Sequence, residues 1–422
     1  VRGQKQLFDF DPFLGRSTSE VTFKGKLRLP IHRWYRLTPS FSPYLADDIA
    51  DHFGLTNHDF VLDPFGGVGT VPLCMKYRGI PACSVELNPY LHYVSAVKNR
   101  TYHDVPAIRN VFRDFMRQIR ASAGRIRDPE DYLGEHHDWI PRIHNPTRWW
   151  SVGNLAQLVC MRRAVYEFGA KREHLDLLKM GVLGILIPAS NAKHNHVSLT
   201  FAAEPLPTVN VVQLLEAKLG EIATDLEAVD PEKAAEVQVF LGDSKYVSRV
   251  LKGSRSPSAV ITSPPYPNRF SYARETRPHM FFFDFVEDAQ AVGELETVAV
   301  GGTWGKATSV LQHGVEPAND RIRSLLVPYL SRIDGSGELM ASYVTKYFND
   351  MDTHAREMAK VCQRTQLAYV IGNSKFYGHP LPSDEILASI FEAHGFKRHE
   401  IKRMRKRQSK TGLYEAVVLM GR

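Results

Sequence analysis

The stretch Val61-Leu-Asp-Pro-Phe-Gly-Gly-Val-Gly-Thr70 decides the fold. It passes from an apolar strand starting at Phe60, through a tight glycine turn, into a helix that the spacing carries from Thr70 to Arg78. Gly79 supplies the helix stop. A second strand, Ala82 to Val85, ends at Glu86, and Pro89 opens the next helix at a position where its missing N–H costs little. Strand, helix, strand, helix in this order predicts the first half of a parallel, doubly wound sheet. Ahead of it, the turn-rich Thr38-Pro-Ser-Phe-Ser-Pro43 leads into a short helix, Pro43 to Phe53.

Beyond residue 101 the pattern changes. The periodicity is helical over Ala107–Ala121, Ala156–Phe168, Leu175–Ile187 and Val211–Leu226, and no strand is expected before Glu236. Alternation resumes with strands at Val237–Leu241 and Ala259–Thr262. An irregular stretch is expected from Pro267 to about Glu338. The helix Ser342–Cys362, the strand Leu367–Ile371 and the helix Ser383–Gly395 then lead to a hairpin of Lys397–Met404 and Tyr414–Met420. The expected organisation is a core of residues 1–100 and 237–422 interrupted by a helical insertion at 101–236.

A chain of 422 residues can bury a large core, and its net charge of +7 and pI near 9.1 favour a polyanionic partner. Eight of the fourteen residues from Lys397 to Lys410 are Lys or Arg, either a contact patch or a solvated edge strand. No apolar run approaches the ~18 residues of a membrane span. The first residues lack the apolar stretch of a secretory leader. Cys74, Cys83, Cys160 and Cys362 show no metal-ligand spacing, so a reduced, cytoplasmic setting is expected.

Glycines in the 65–70 turn let backbone N–H groups approach a ligand closely. A dinucleotide fingerprint starting at Gly67 would need glycine where Pro72 stands. A phosphate-binding loop would need Ser or Thr after Gly305-Lys306, where Ala307 stands. Glu86 lies seventeen residues beyond Gly69, at a strand end where an acid can accept both hydroxyls of a ribose. Asp243 follows a later strand and suits an adenine amino group. Glu86 alone would read as a surface helix cap; combined with the loop and Asp243 it suggests a nucleoside cradle.

Ile261-Thr-Ser-Pro-Pro-Tyr266 follows a strand directly. Two prolines hold the chain extended and its carbonyls rigid. An exocyclic aromatic amine is a poor nucleophile because its lone pair is delocalised. Ser263 and the Pro264 carbonyl can accept its two N–H bonds, which favours a tetrahedral nitrogen. Tyr266 can stack on a base taken out of a duplex. Standing alone, Pro-Pro-Tyr would more often be a plain turn.

The pair Asp63-Pro-Phe-Gly-Gly-Val-Gly-Thr70 and Ser263-Pro-Pro-Tyr266 resembles the amino-methylating DNA methyltransferases of bacterial modification systems. The likeness covers about residues 30–100 and 237–422. It implies a Rossmann-like class I methyltransferase core with a mostly parallel seven-stranded sheet, and S-adenosyl-L-methionine as cofactor. The catalytic residues implied are Ser263, Pro264, Pro265 and Tyr266. The cofactor residues implied are Ser40, Phe41, Asp63, Phe65, Gly66, Gly67, Gly69, Thr70, Glu86, Leu87, Asp243 and Ser244. Ser40 and Phe41 fall in an element that contacts the cofactor's methionine end, and Gly372-Asn-Ser374 resembles one lining the base pocket. Serine at position 263 accompanies N4-cytosine methylation in such proteins, whereas Asp or Asn accompanies N6-adenine methylation. The partners implied are double-stranded DNA and a cognate restriction endonuclease. The same fold acting on adenine N6 or on RNA, and a non-catalytic binding protein, are the alternatives.

C5-cytosine chemistry needs a cysteine nucleophile, typically after proline in the proteins that carry it out, and no Pro-Cys occurs here. The long insertion departs from the simplest pattern of the family. It carries Arg142, Arg148, Trp149, Trp150 and Ser190-Asn-Ala-Lys-His-Asn-His196, which suit phosphate contact and stacking or, equally, an anchored helical core. His194 and His196 lack a third ligand nearby, so no metal is expected. Asn268 through Arg277 is expected to continue the base-pocket loop, and residues 267–340 form the candidate target-recognition segment.

Overall fold

A computed structural model describes residues 25, 27–38, 40–194, 199–201, 209–334, 338–407 and 411–422. Pro39, His196, Lys410 and the first residues of the chain, about which the sequence raised expectations, lie outside them. In chain order the strands are β1 Val61–Asp63, β2 Ala82–Glu86, β3 Ala192–His194, β4 Leu199–Phe201, β5 Val237–Leu241, β6 Ala259–Thr262, β7 Gln366–Gly372, β8 Ser374–Phe376, β9 His379–Leu381, β10 Lys397–Lys406 and β11 Tyr414–Gly421.

Seven of them form the main sheet, in the order β5-β2-β1-β6-β7-β11-β10. All pairs are parallel except those of β11, which runs antiparallel to β7 and β10. This is the mostly parallel, Rossmann-like sheet expected. The central strands β1 and β6 are buried along their whole length, as strands covered on both faces must be. Successive residues serve opposite faces. Val61, Ile261, Ala368 and Val370 pack with the helices Pro43–His52 and Thr70–Tyr77. Leu62, Val260, Leu367 and Tyr369 pack with the helices Glu338–Val361 and Ser383–Ala393. The order reverses at β1, so the carboxyl ends of β1, β2 and β6 open on one crevice, where sheets of this type bind ligands.

The insertion forms the helices Val105–Ala123, Val152–Glu167, Arg172–Ile185 and Val211–Glu227, with shorter turns between. Ile108, Phe112, Phe115, Met116 and Ile119 recur at helical spacing and are buried. They share one apolar core with Tyr90, Leu91 and Val94 of the helix after Glu86 and with Phe281–Phe283. The segment before the sheet is tied to the same layer. Asp225 accepts hydrogen bonds from the Ile31 N–H (2.8 Å) and the Trp34 indole (3.0 Å) and pairs with Arg33.

Two expectations are corrected. The insertion does contain strands, β3 and β4, paired as a short antiparallel hairpin. Residues 267–338 are not irregular: they hold helices at Tyr272–Phe282, Ala289–Val298, Lys306–Gln312 and Asp320–Asp334. Two of these carry an internal proline, Pro278 and Pro328, which masks a helix read from sequence. Among the described residues no helix is long and apolar enough to cross a membrane.

Candidate active site

The glycine turn is built by three different constraints. At Gly66 an added Cβ would lie 2.8 Å from the Ser84 Cβ, so the turn can pass close to β2 only with glycine there. Gly69 sits at φ 71°, and a Cβ would come within 2.4 Å of the Ser95 hydroxyl and 2.5 Å of the Asn99 amide. Gly67, at φ 51°, has only the Phe65 carbonyl within 4.0 Å of its missing Cβ, so the turn is bare toward the crevice. Beneath the turn the fully buried Lys98 donates to the Val68 carbonyl at 2.8 Å, and burial pushes its ammonium down to about 7.

Glu86 is joined to this turn directly. Its Oε2 accepts the Gly67 N–H at 2.7 Å, and its Oε1 accepts the Asn88 N–H at 2.8 Å. Burial pushes the carboxyl up to about 7 against the pull of these two donors, and the nearby Asp63 adds to the rise. The Glu86 carbonyl accepts the Gly242 N–H at 3.0 Å, so Glu86 and Asp243 stand at the ends of neighbouring strands. Asp243 accepts the Lys245 N–H at 2.9 Å, capping a short turn, and is half-buried. Ser244 is buried, and its carbonyl bonds the His354 Nδ1 at 3.0 Å. Leu87 is half-exposed beside Glu86.

The tetrapeptide is coupled to the glycine turn through one carboxyl. Asp63 Oδ1 accepts the Thr262 hydroxyl at 2.6 Å and the Phe65 N–H at 3.1 Å. Burial pushes the Asp63 carboxyl up to about 7, against these two donors. Thr262 immediately precedes Ser263, so the two motifs are held in register across the β1–β6 boundary. The Tyr347 hydroxyl donates to the Pro265 carbonyl at 2.7 Å and fixes the proline pair from the helix below. The half-buried Tyr266 ring lies over the end of β7, where a Cβ on Gly372 would be 3.0 Å from it. The Arg407 guanidinium sits 5.7 Å from the ring centroid and donates to the Asn373 carbonyl at 3.2 Å. Burial first, then the Glu415 carboxylate, push the Tyr266 phenol above its ordinary value, while Ser263 beside it and Arg407 act against them. Acceptor and ring thus converge.

Ser40 and Phe41 lead into the helix Pro43–His52, which lies on the helix following the glycine turn; the Cys74 thiol donates to the Pro43 carbonyl there at 3.6 Å. The hydroxyls of Thr38, Ser40 and Thr70 are buried and have no hydrogen-bond partner among the described residues, an arrangement that suits a polar ligand. Phe65 packs on His354 at 4.8 Å between centroids. His354, held by Ser244 and by the Tyr369 hydroxyl at 2.8 Å, is pushed down to about 4 by burial.

Sequence reading missed His354, Tyr347 and the bond from the Asn88 amide to the Thr276 hydroxyl (2.9 Å), which bolts the helix after the tetrapeptide to the end of β2. Only Asn88 had a local signal, as the cap preceding Pro89. In the insertion, Trp150 is a core anchor, its indole N–H donating to the Leu186 carbonyl at 2.9 Å. Arg148 stacks on Phe201 at 4.4 Å, and Arg142 is exposed. Among the described residues no group of three His, Cys, Asp or Glu side chains is placed to hold a metal.

No protein-family model matches the chain. The chain is similar to the type II methyltransferase M.BsoBI of Geobacillus stearothermophilus, with 23% identity over 446 residues, covering 94% of this chain and 86% of that protein. Among solved structures it aligns with the rRNA methyltransferase aviRa of Streptomyces viridochromogenes at 12% identity and a TM-score of 0.34, covering 97% of this chain and 95% of that one. A second structure of the same protein gives 11% identity and a TM-score of 0.32, covering 97% and 96%. That likeness is too distant to inform the fold.

Proposed function

We propose that the chain transfers a methyl group from S-adenosyl-L-methionine to the N4 amino group of a cytosine flipped out of double-stranded DNA. The observation that carries this reading is the Asp63 carboxyl, which binds the glycine turn through Phe65 and the catalytic strand through Thr262. A donor held over Gly67 and an amine held at Ser263 then share one crevice. Similarity over most of its length to a type II methyltransferase supports the same class.

The cofactor fits the residues present. Gly67 leaves the turn bare, Glu86 and Asp243 offer carboxylates at adjacent strand ends, and the buried Thr38, Ser40 and Thr70 hydroxyls have no partner among the described residues. When bound, S-adenosyl-L-methionine supplies an electrophilic methyl group. On the protein side, Ser263 and the Pro264 carbonyl accept the two amine hydrogens and turn the nitrogen lone pair toward the methyl donor. Tyr266, backed by Gly372, stacks the base, and Tyr347 keeps the Pro265 carbonyl from swinging. The product keeps one amine hydrogen and releases the other as a proton.

Glu86 gives this reading a pH dependence. In the free protein its carboxyl holds a proton up to about 7, against an ordinary value of 4.5. Its unfavourable ionisation therefore weakens the fold progressively as pH rises through that window. Accepting two ribose hydroxyls favours the charged form, so cofactor affinity is expected to run the other way: about tenfold weaker at pH 6 than at pH 8. Calorimetric titration at both pH values checks this, and Glu86→Gln should bind weakly with a flat profile. A wild-type profile that is flat removes Glu86 from the ribose site.

The proposal is tested by incubating the purified protein with methyl-labelled cofactor and either duplex DNA or RNA. Label in DNA supports it, and label confined to RNA would reassign the substrate.

A further inference from the structure

Five residues beyond Tyr266 the chain enters the helix Tyr272–Phe282, capped by Ser271, whose hydroxyl accepts the Arg274 N–H at 3.0 Å. The same hydroxyl donates to Glu296 Oε2 at 2.9 Å, and Glu296 Oε1 accepts the N–H groups of Thr303 (3.0 Å) and Trp304 (3.2 Å). Glu296 is 2% exposed, so one buried carboxylate fixes the position of Trp304 relative to the start of the helix. The turn leading to Trp304 has no slack: a Cβ at Gly302 would lie 1.8 Å from the Glu296 carbonyl oxygen.

Arg274 and Arg277, one helical turn apart, both lean on the Trp304 ring, at 5.9 and 5.7 Å from its centroid. Arg274 is exposed, Arg277 and Trp304 are half-buried, and neither arginine forms an ion pair among the described residues. Several other surface arginines have carboxylate partners, among them Arg78 with Asp51, Arg109 with Glu227, Arg120 with Glu216 and Arg398 with Glu385. Like charges at this spacing repel. Burial, and then the charge of Arg274, lower the Arg277 pKa from its ordinary value. Two cations with no ion-pair partner among the described residues thus stand on the helix that follows the tetrapeptide loop. Thr276 anchors the helix to Asn88 beside Glu86, and Glu275 anchors it to the Leu199 N–H at 3.0 Å.

We infer that Arg274 and Arg277, spaced by Trp304, clamp a backbone phosphodiester of the DNA strand carrying the target base. This rests on the proposed function and adds the surface that holds the strand. A guanidinium pair is suited to phosphate because each presents planar, forked donors. A contact there, on the helix into which the loop after Tyr266 leads, would fix the strand while the base leaves the stack. Arg269, exposed in the same loop with its N–H bound to the Tyr343 hydroxyl, adds positive charge on the approach.

The test measures duplex DNA binding by fluorescence polarisation between about 50 and 200 mM salt, for the wild type and for Arg274→Gln/Arg277→Gln. Loss of the one clamped phosphate should reduce the slope of log K against log salt by about 1. Cofactor affinity and melting temperature should not change, which separates a lost contact from a misfolded chain. Arg274→Lys/Arg277→Lys should restore most of the slope. An unchanged slope in the glutamine variant, with a wild type that binds and methylates DNA, overturns the clamp alone. A wild type that does not bind duplex DNA at any salt overturns the clamp and the proposed function together.

Discussion

Gly69→Ala is expected to lower cofactor affinity by at least two orders of magnitude. The added methyl has nowhere to go: Ser95 and Asn99 on the following helix would stand 2.4 and 2.5 Å from it. The Asn99 amide is held by its bond to the Ser95 carbonyl at 2.9 Å, and the Ser95 Cα itself would lie 3.1 Å from the methyl, so side-chain rotation does not clear the space. Overpacking of this kind costs about 1–3 kcal/mol, and the left-handed backbone at φ 71° adds about 1–2 kcal/mol for any residue with a Cβ. The cheapest relief is movement of the turn itself, which carries Gly67 away from Glu86. Gly67→Ala is the informative control. Its methyl meets open space, so only the backbone penalty should register in the melting temperature. If the cofactor lies over that turn, binding to Gly67→Ala should nevertheless collapse. Calorimetry together with thermal denaturation of both variants reads the two effects separately.

Tyr266→Ala is expected to reduce kcat/KM for DNA by about 10²- to 10³-fold while leaving cofactor affinity unchanged. Base–aromatic stacking contributes about 1–3 kcal/mol. Misplacement of a reacting group by as little as about 1 Å can cost a further ~10²-fold. Both effects apply, because the ring that would stack the base also stands beside Ser263 and fills the space over Gly372. Tyr266→Phe keeps the ring and loses only the hydroxyl, so it should stay within about tenfold of wild type. Single-turnover methyl transfer checks both. A phenylalanine variant as damaged as the alanine variant would shift the role from ring to hydroxyl.

What the sequence made legible was local. The glycine turn, Glu86, Asp243 and the tetrapeptide each follow a short apolar run, and the strand-end position carries the argument without any distant contact. The sheet followed from the same runs, including the antiparallel end formed by the last hairpin. Two kinds of feature were not legible. Helices carrying Pro278 or Pro328 read as irregular, because proline in a helix is normally a stop; the surrounding packing holds them in place. The hairpin of β3 and β4 has three residues in each strand, too few for alternation to show. The couplings that make the site one object are invisible in any window: Asp63 to Thr262, Asn88 to Thr276, and Tyr347 to Pro265 join positions far apart in the chain. The insertion illustrates the same limit. Its helical character was readable, but its sharing of a core with the helix after Glu86 was not.

The proposal of cytosine N4 as the methylated atom rests on Ser263, since its neighbours would serve an adenine amine as well as a cytosine one. Mass spectrometry of nucleosides from the DNA of cells expressing the protein, set against cells expressing Tyr266→Ala, tests it most directly. N4-methylcytosine is expected in the first and none in the second; N6-methyladenine, or a modified base in RNA alone, would contradict the proposed transfer to cytosine N4.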